Sequence, residues 1–454
     1  MQETILNRII SDKKKWIQER KNEEPLMSFK YKINTKTRDF YTALTSKKPV
    51  FILECKQFSP SLGLIRKDFN LFKIANIYKK YASAISVLTD EKYFHGNLKF
   101  INKVRNHVFQ PILCKDFFID TYQIYLARYY QADAILLMLS VLNDAEYIKL
   151  SNTAKNMNMG ILTEINNTKE LHRALSLNAS VIGINNRNLH DLSINLNRTR
   201  KLAPLIPKDK IIISESGIKK YHNIRELSSF VNGFLIGSSL MVHSDLDVSI
   251  RSIIMGENKI CGLTRSIDAQ CAVKYGAVYG GLIFIQHSKR NITIQIAKNI
   301  ILNNNLRYVG VFQNEKIEKI VNISLELSLY AVQLHGDENQ NYINLLRTLL
   351  PKKIQIWKAF SITVKVPECN WKNIDIYIFD SFSPGNNQSF DWSLLSHKKF
   401  HNVILAGGIN IKNCTLASKL YFLGLDLNSG IEDIPGIKNH EKIKIIFHKL
   451  RYYF

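Results

Sequence analysis

The sequence predicts an α/β protein made of two tandem (β/α)8 barrels, the first carrying an N-terminal helical extension. Three observations predict this: apolar runs of strand length recur along the chain, each is followed by a stretch with helical spacing, and the count of eight restarts near the middle. The 454 residues, 46% of them hydrophobic, are too many for one ordinary domain and enough to bury two large cores.

Residues 1 to about 48 come before the first strand and show one amphipathic helix around Ile5, Ile9 and Trp16, then a second around Arg38 to Leu44. They are expected to cover the barrel and help shape its site. The first eight strands are Phe51 to Cys55, Ala84 to Leu88, Pro111 to Cys114, Ala134 to Met138, Gly160 to Glu164, Val181 to Asn185, Ile211 to Glu215 and Gly233 to Ile236. Helical spacing between them, as at Ile74, Ile77, Tyr78 and Tyr81, is long enough for right-handed crossovers. After Gly256-Glu257-Asn258 come Lys259 to Cys261, Gly280 to Phe284, Tyr308 to Phe312, Ala331 to Leu334, Gln355 to Ala359, Ile376 to Phe379, Val403 to Ala406 and Gly424 to Leu427. The expected domains are therefore 1–255 and 256–454.

Composition narrows the function classes. The longest nearly unbroken apolar run, Ala134 to Leu142, is half the ~18 residues that a membrane-spanning helix needs, so it reads as a core strand. The N-terminus interrupts its lysines with Glu3, Asp12 and Glu19 and shows no secretory or transit signal, so a cytoplasmic location is expected. Cys55, Cys114, Cys261, Cys271, Cys369 and Cys414 form no CxxC pair and have no ligand spacing with histidine, which suits a reduced compartment without a metal site or cofactor. The formal net charge of +24 raises the question of nucleic acid, but the lysines are scattered and no arginine-rich stripe or RNA-binding signature accompanies them. A monomer acting on small anionic, phosphorylated substrates is expected instead.

Barrel active sites lie at the C-terminal ends of the strands. There the first half places Glu54 and Lys56, Lys115, Glu164, Asn185 and Arg187, Glu215 and Ser216, and Gly237 and Ser238. A single charge at a strand end is most often a solvated cap or structural ion pair, but polar groups converging from six strands of one barrel point to a site. Ser214-Glu215-Ser216-Gly217 and Ile236-Gly237-Ser238-Ser239 follow the seventh and eighth strands, where barrels commonly bind phosphate through backbone N–H groups.

The strings Phe51 to Ser61, Ile112 to Phe117, Gly183 to Leu189 and Ile213 to Gly217 resemble, in order and spacing, the motifs of indole-3-glycerol-phosphate synthase over about residues 1–255. That family closes the pyrrole ring of 1-(2-carboxyphenylamino)-1-deoxyribulose 5-phosphate with loss of CO2 and water. The resemblance implies Lys115 as the acid on the C2 carbonyl, Glu164 as base, Lys56 as an acid or carboxylate partner, and Glu54 as its orienting partner. It implies Asn185 on a substrate hydroxyl and Arg187 near the anthranilate carboxylate. Phe117 and Leu189 would hold the ring, and Ser59, Gly217, Gly237 and Ser238 the phosphate. Phe58 departs from the family, which commonly carries lysine there.

In the second half a lone Cys261 in an apolar strand reads as packing, and Asp380 ends the sixth strand. The strings Val332 to Glu338, Val309 to Phe312, Leu405 to Ile409 and Gly424 to Gly430 resemble phosphoribosylanthranilate isomerase over about residues 256–454. That resemblance implies an Amadori rearrangement with Cys261 as base and Asp380 as acid, Gly407, Gly408 and Ser429 around the phosphate, and Arg290 and His335 as candidates for the carboxylate. Lys289 replaces an expected proline, and Pro384 to Asn387 stand where a Gly-Gly-Ser-Gly loop is usual. A histidine-biosynthesis isomerase would instead use paired aspartates at its first and fifth strands, and a non-catalytic nucleic-acid-binding barrel would have no use for Lys115, Glu164, Cys261 and Asp380.

Overall fold

The computed structural model describes residues 4–46, 48–188, 191–363, 366–381, 389–395, 400 and 402–452. The chain divides into two compact units, Met1–Lys219 with Glu226–Asp247, and Lys220–Arg225 with Val248–Phe454.

In the first unit eight parallel strands close a barrel: β1 (Val50–Cys55), β2 (Ala84–Leu88), β3 (Ile112–Lys115), β4 (Ala134–Met138), β5 (Gly160–Ile165), β6 (Val181–Asn185), β7 (Ile211–Glu215) and β8 (Gly233–Ile236). β1 pairs with β8 through Val50↔Gly233 and with β2 through Ile52↔Ala84, which seals the ring. The strands are almost wholly apolar because both of their faces are covered. Inward residues such as Ile52, Leu113, Leu162 and Ile213 fill the interior. The expected strands agree with these to within a residue at each end.

The extension forms α1 (Ile5–Glu23), α2 (Leu26–Phe29) and α3 (Phe40–Leu44). Phe40 and Leu44 join the core cluster with the strand starts Val50, Ala84, Ala134 and Val181, so α3 plugs the bottom of the barrel. Gly160 leaves room for it, since a Cβ there would stand 2.7 Å from the Phe40 ring. α1 lies at the opposite end. Its Lys13 is only 5% exposed and reaches Asp90 at 2.6 Å and Asp116 at 2.7 Å, on the loops that follow β2 and β3. The scattered lysines of the sequence therefore include one that is a buried strut rather than solvated surface. The helix after β1 ends at Tyr78, so Tyr81 lies outside it.

The second unit closes another parallel barrel from β9 (Lys259–Ile260), β10 (Tyr279–Ile283), β11 (Arg307–Phe312), β12 (Ala331–Leu334), β13 (Gln355–Ile362), β14 (Ile376–Ser381), β15 (Val403–Leu405) and β16 (Gly424–Leu427). Its core gathers Val309, Ala331, Trp357, Ile378 and Ile404, with Tyr279 edge-on to Trp357 at 4.8 Å. Among the described residues no helix is long and apolar enough to cross a membrane, and no cluster of His, Cys, Asp or Glu is arranged to hold a metal ion.

Candidate active sites

Parallel strands bring all their C-terminal ends to one rim, which turns residues distant in sequence into neighbours. In the first unit Glu54 Oε1 lies 2.5 Å from Lys56 Nζ, and Glu54 Oε2 lies 3.4 Å from Lys115 Nζ. Lys115 Nζ also stands 3.3 Å from Glu215 Oε2. Two glycines make the cluster possible: a Cβ on Gly237 would collide with Glu54 Oε1, and one on Gly183 with Glu215 Oε1.

The charges follow from this packing. Burial opposes ionisation of Glu54, but Lys56 and Lys115 outweigh it and bring the carboxyl down to about 2. Burial likewise opposes the Lys115 cation, and Glu54, Glu215 and Glu164 together hold its pKa above the ordinary lysine value. Glu164 has no such surplus of cations, so burial, reinforced by the Glu215 charge, pushes it well above the usual carboxylate range. Burial also raises Glu215. One oxygen of Glu164 and one of Glu215 are buried without a hydrogen-bond partner among the described residues.

Glu54, Lys56, Lys115, Arg187, Ser216, Gly217, Gly237 and Ser238 line one cavity of about 680 Å³. Glu164 and Asn185 lie deeper, at 2% and 6% exposure. The Arg187 backbone N–H donates to Asn185 Oδ1 at 3.0 Å, and its guanidinium donates to the Leu192 carbonyl. Ser216 and Gly217 both take left-handed backbone, φ 64° and 83°, strained for the serine and open to the glycine, and the chain turns there beside the cavity. Ser238 begins the short helix Ser238–Met241, and its hydroxyl accepts from Lys56 at 3.5 Å. A smaller apolar recess adjoins, where Phe94 and Phe117 meet Ser59 and three residues of α1, Ile5, Leu6 and Ile9. Leu189 lies outside the described residues. Phe58 stacks on His95 at 4.2 Å between ring centres.

In the second unit Cys261, Arg290, His335, Asp380, Gly407, Gly408 and Ser429 all line one cavity of about 620 Å³. Asp380 Oδ1 accepts the Ser381 backbone N–H at 2.7 Å, and its other oxygen lies 3.5 Å from His335 Nε2. Burial, with Asp426 nearby, raises Asp380 to about 6. Burial, with Lys259 and Lys358 nearby, lowers His335 to about 4, so its imidazole is neutral at neutral pH and offers a ligand no charge. Arg290 is the cation of this pair, and Glu432 grips it through Nε at 2.9 Å and Nη2 at 2.6 Å. Gly407 has φ 87°, and a Cβ there would stand 2.7 Å from the Ser381 nitrogen that holds Asp380. Cys261 packs against Ile283 and Val311, and its sulfur also meets the Lys259 ammonium at 3.1 Å. Even so, burial keeps the thiol above its ordinary pKa. Lys289 is exposed, and Pro384 to Asn387 lie outside the described residues.

Three features escaped the sequence reading, Lys259, Asp426 and Glu432, whereas the extension was expected to help shape the first site and three α1 residues do line its recess. Lys259 and Asp426 did carry a signal, since each interrupts an otherwise apolar strand. Glu432 depends on long-range packing, and no local pattern marks it.

A family model described as Indole-3-glycerol phosphate synthase matches residues 6–253, and one described as N-(5'phosphoribosyl)anthranilate (PRA) isomerase matches residues 258–449. The Tryptophan biosynthesis protein TrpCF of Buchnera aphidicola subsp. Acyrthosiphon pisum is 66% identical over 452 residues, covering 100% of both chains. The protein of the same name from Salmonella typhi is 52% identical and covers 99% of this chain and 100% of its own. A solved phosphoribosyl anthranilate isomerase from Thermotoga maritima is 32% identical across 44% of this chain and 100% of that one, with a TM-score of 0.39. The chain belongs to the bifunctional tryptophan-biosynthesis family, in which an indole-3-glycerol phosphate synthase, a lyase, is followed by a phosphoribosylanthranilate isomerase.

Proposed function

We propose specific roles for the rim residues in these two consecutive reactions, with the second barrel making the substrate of the first. In the isomerase barrel Asp380 protonates the ring oxygen of N-(5-phosphoribosyl)anthranilate as the C1–O bond breaks, and the anilino nitrogen's lone pair forms the Schiff base. A carboxyl raised to about 6 is a suitable donor near neutral pH. Cys261 then takes the C2 proton, and that electron pair gives the enolamine that becomes the ketone. Arg290 pairs with the anthranilate carboxylate while neutral His335 contributes a hydrogen bond. Gly407, Gly408 and Ser429 cradle the phosphate.

In the synthase barrel the C2 carbonyl of 1-(2-carboxyphenylamino)-1-deoxyribulose 5-phosphate meets Lys115, which protonates it as the aromatic carbon attacks. CO2 leaves and the ring regains aromaticity. Glu164 takes part in the elimination of water, for which its raised pKa makes its carboxylate a stronger base than an ordinary glutamate. Lys56, oriented by Glu54, acts as an acid or partners the carboxylate, and Glu215 helps hold Lys115. Asn185 binds a hydroxyl, Arg187 the carboxylate region, and Phe117 with Leu189 the ring. Ser59, Ser216, Gly217, Gly237 and Ser238 receive the phosphate.

The observation that carries this reading is Lys115 suspended between Glu54 and Glu215 at 3.4 and 3.3 Å, a fixed cation where a carbonyl oxygen would gain negative charge. Both sites place glycine- and serine-bearing turns after their seventh and eighth strands, so inorganic phosphate should compete with both substrates. Competition kinetics on the two reactions test this, and two rates indifferent to high phosphate would contradict it.

The reading extends to a monomer in the cytoplasm that binds no nucleic acid, with its domains meeting at residues 255 and 256. Six free cysteines favour a reducing compartment.

A further inference from the structure

Behind two residues that line the isomerase cavity, Cys261 and Asp426, lies a buried cation that none of these roles uses. Lys259 is 0% exposed, and its Nζ lies 2.7 Å from Asp426 Oδ2 and 3.1 Å from Cys261 Sγ. Backbone geometry sets this contact. Lys259 and Asp426 are register partners on the adjacent strands β9 and β16, while Cys261 follows Lys259 by two residues, so the two side chains leave the chain on the same side. The other oxygen of Asp426 is buried without a hydrogen-bond partner among the described residues, and both Asp426 and Cys261 line the cavity.

Burying an ammonium is costly unless an anion accompanies it. Here two groups able to carry negative charge face one cation. With both ionised, the trio has a net charge of −1 in a buried pocket; with one ionised, it is neutral. We propose that Lys259 is a positioning residue that shares its charge between Cys261 and Asp426, so that the thiolate forms when a proton passes from Cys261 to Asp426. In that step the S–H bond breaks, its electron pair stays on sulfur, and an O–H bond forms on the carboxylate. Lys259 keeps its proton and the net charge of the trio does not change. The thiolate then removes the substrate's C2 proton, forming S–H again as the C1–C2 double bond appears.

The surroundings support the exchange. Burial raises both the thiol and the Asp426 carboxyl, and Lys259, the one cation in contact with both, pulls both down, so they compete for its charge. Lys438 adds a more distant positive charge felt by both groups. Arg290, His335 and Asp380 line the same cavity; Arg290 shares the Glu432 carboxylate with Lys438, and the His335 imidazole is uncharged.

The inference rests on Cys261 being the base, and its test separates the two ideas. The full chain is treated with iodoacetamide across a pH series, and alkylation of the Cys261 peptide is followed by mass spectrometry. Wild type is compared with Asp426→Asn and with Lys259→Met/Asp426→Asn, a pair that leaves no unpaired charge behind. Asp426→Asn gives the whole ammonium to sulfur, so the alkylation midpoint should fall and the rate at neutral pH should rise about tenfold. The double variant should shift the midpoint up, slow alkylation about tenfold and lower isomerase kcat more than it changes KM. Synthase activity of the same samples reports on folding. A merely structural ion pair would leave the midpoints alone or move both the same way, and either result overturns the proposal. Opposite shifts, together with a Cys261→Ser chain that still isomerises at the wild-type rate, would keep the charge sharing and reject Cys261 as base.

Discussion

The two barrels share an architecture but distribute charge over their rims differently. The synthase rim is organised around an ion cluster: Lys115 is held cationic by Glu54 and Glu215, Glu54 is brought down to about 2 by Lys56 and Lys115, and one titratable carboxyl, Glu164, is raised to about 8 beside them. The isomerase rim keeps groups whose protonation is easily changed, with Asp380 raised to about 6 and His335 lowered to about 4. The difference follows the chemistry. Ring closure with loss of CO2 develops charge at a carbonyl, and preorganised cations stabilise it. An Amadori rearrangement moves protons between neighbouring atoms, and that needs an acid and a base poised near the working pH.

The sharpest way to break this comparison is a pair of substitutions expected to give mirror-image losses. Lys115→Ala should lower synthase turnover by orders of magnitude and leave the isomerase near wild type. Cys261→Ser should do the reverse, because a serine hydroxyl does not ionise near neutral pH. Assays of both reactions on each purified variant decide it. A Cys261→Ser protein that melts earlier yet isomerises normally would return Cys261 to a packing role.

A smaller effect is expected in the pH profile of the isomerase. Its competent form has Asp380 protonated and one proton on the Cys261–Asp426 pair, while burial sets Asp380 at about 6. The pair keeps its proton count as the thiolate forms, so around neutral pH the rate follows the protonation of Asp380 alone. The isomerase kcat/KM should therefore be level just below about pH 6 and fall about tenfold per pH unit above it. A profile that stays level well above pH 6 would contradict the assignment of Asp380.

Much of this was readable from the chain because parallel barrels reduce long-range structure to a local pattern. Val181 to Asn185 or Ala331 to Leu334 announce themselves as buried strands, and the residues at their ends must share a rim. The partners of those residues were less legible. That Glu432 grips Arg290 through a bidentate contact, or that Lys13 ties α1 to Asp90 and Asp116, depends on how loops return over the barrel. Lys259 was visible but was read as the start of a strand, since periodicity places its side chain on the inner face without saying what it meets there.

The smallest predicted effect concerns Phe58, where the family commonly carries lysine. Its ring stacks on His95, and Phe58 is not among the residues that line either cavity of the synthase site. Phe58→Ala should therefore cost about 0.5–1.5 kcal/mol of stability and leave synthase kcat nearly unchanged. Thermal melting beside steady-state kinetics checks it, and a large fall in kcat would show that this loop takes part in the chemistry.

The most direct test of two separate chemistries on one chain is complementation. Lys115→Ala and Cys261→Ser proteins, each unable to convert N-(5-phosphoribosyl)anthranilate to indole-3-glycerol phosphate alone, are mixed at equal concentration and given that substrate. The intact isomerase barrel of the first should release the aminoketose, and the intact synthase barrel of the second should close the ring, so the product appears only in the mixture. A mixture as inert as either variant alone would contradict the assignment of the two activities to separate barrels.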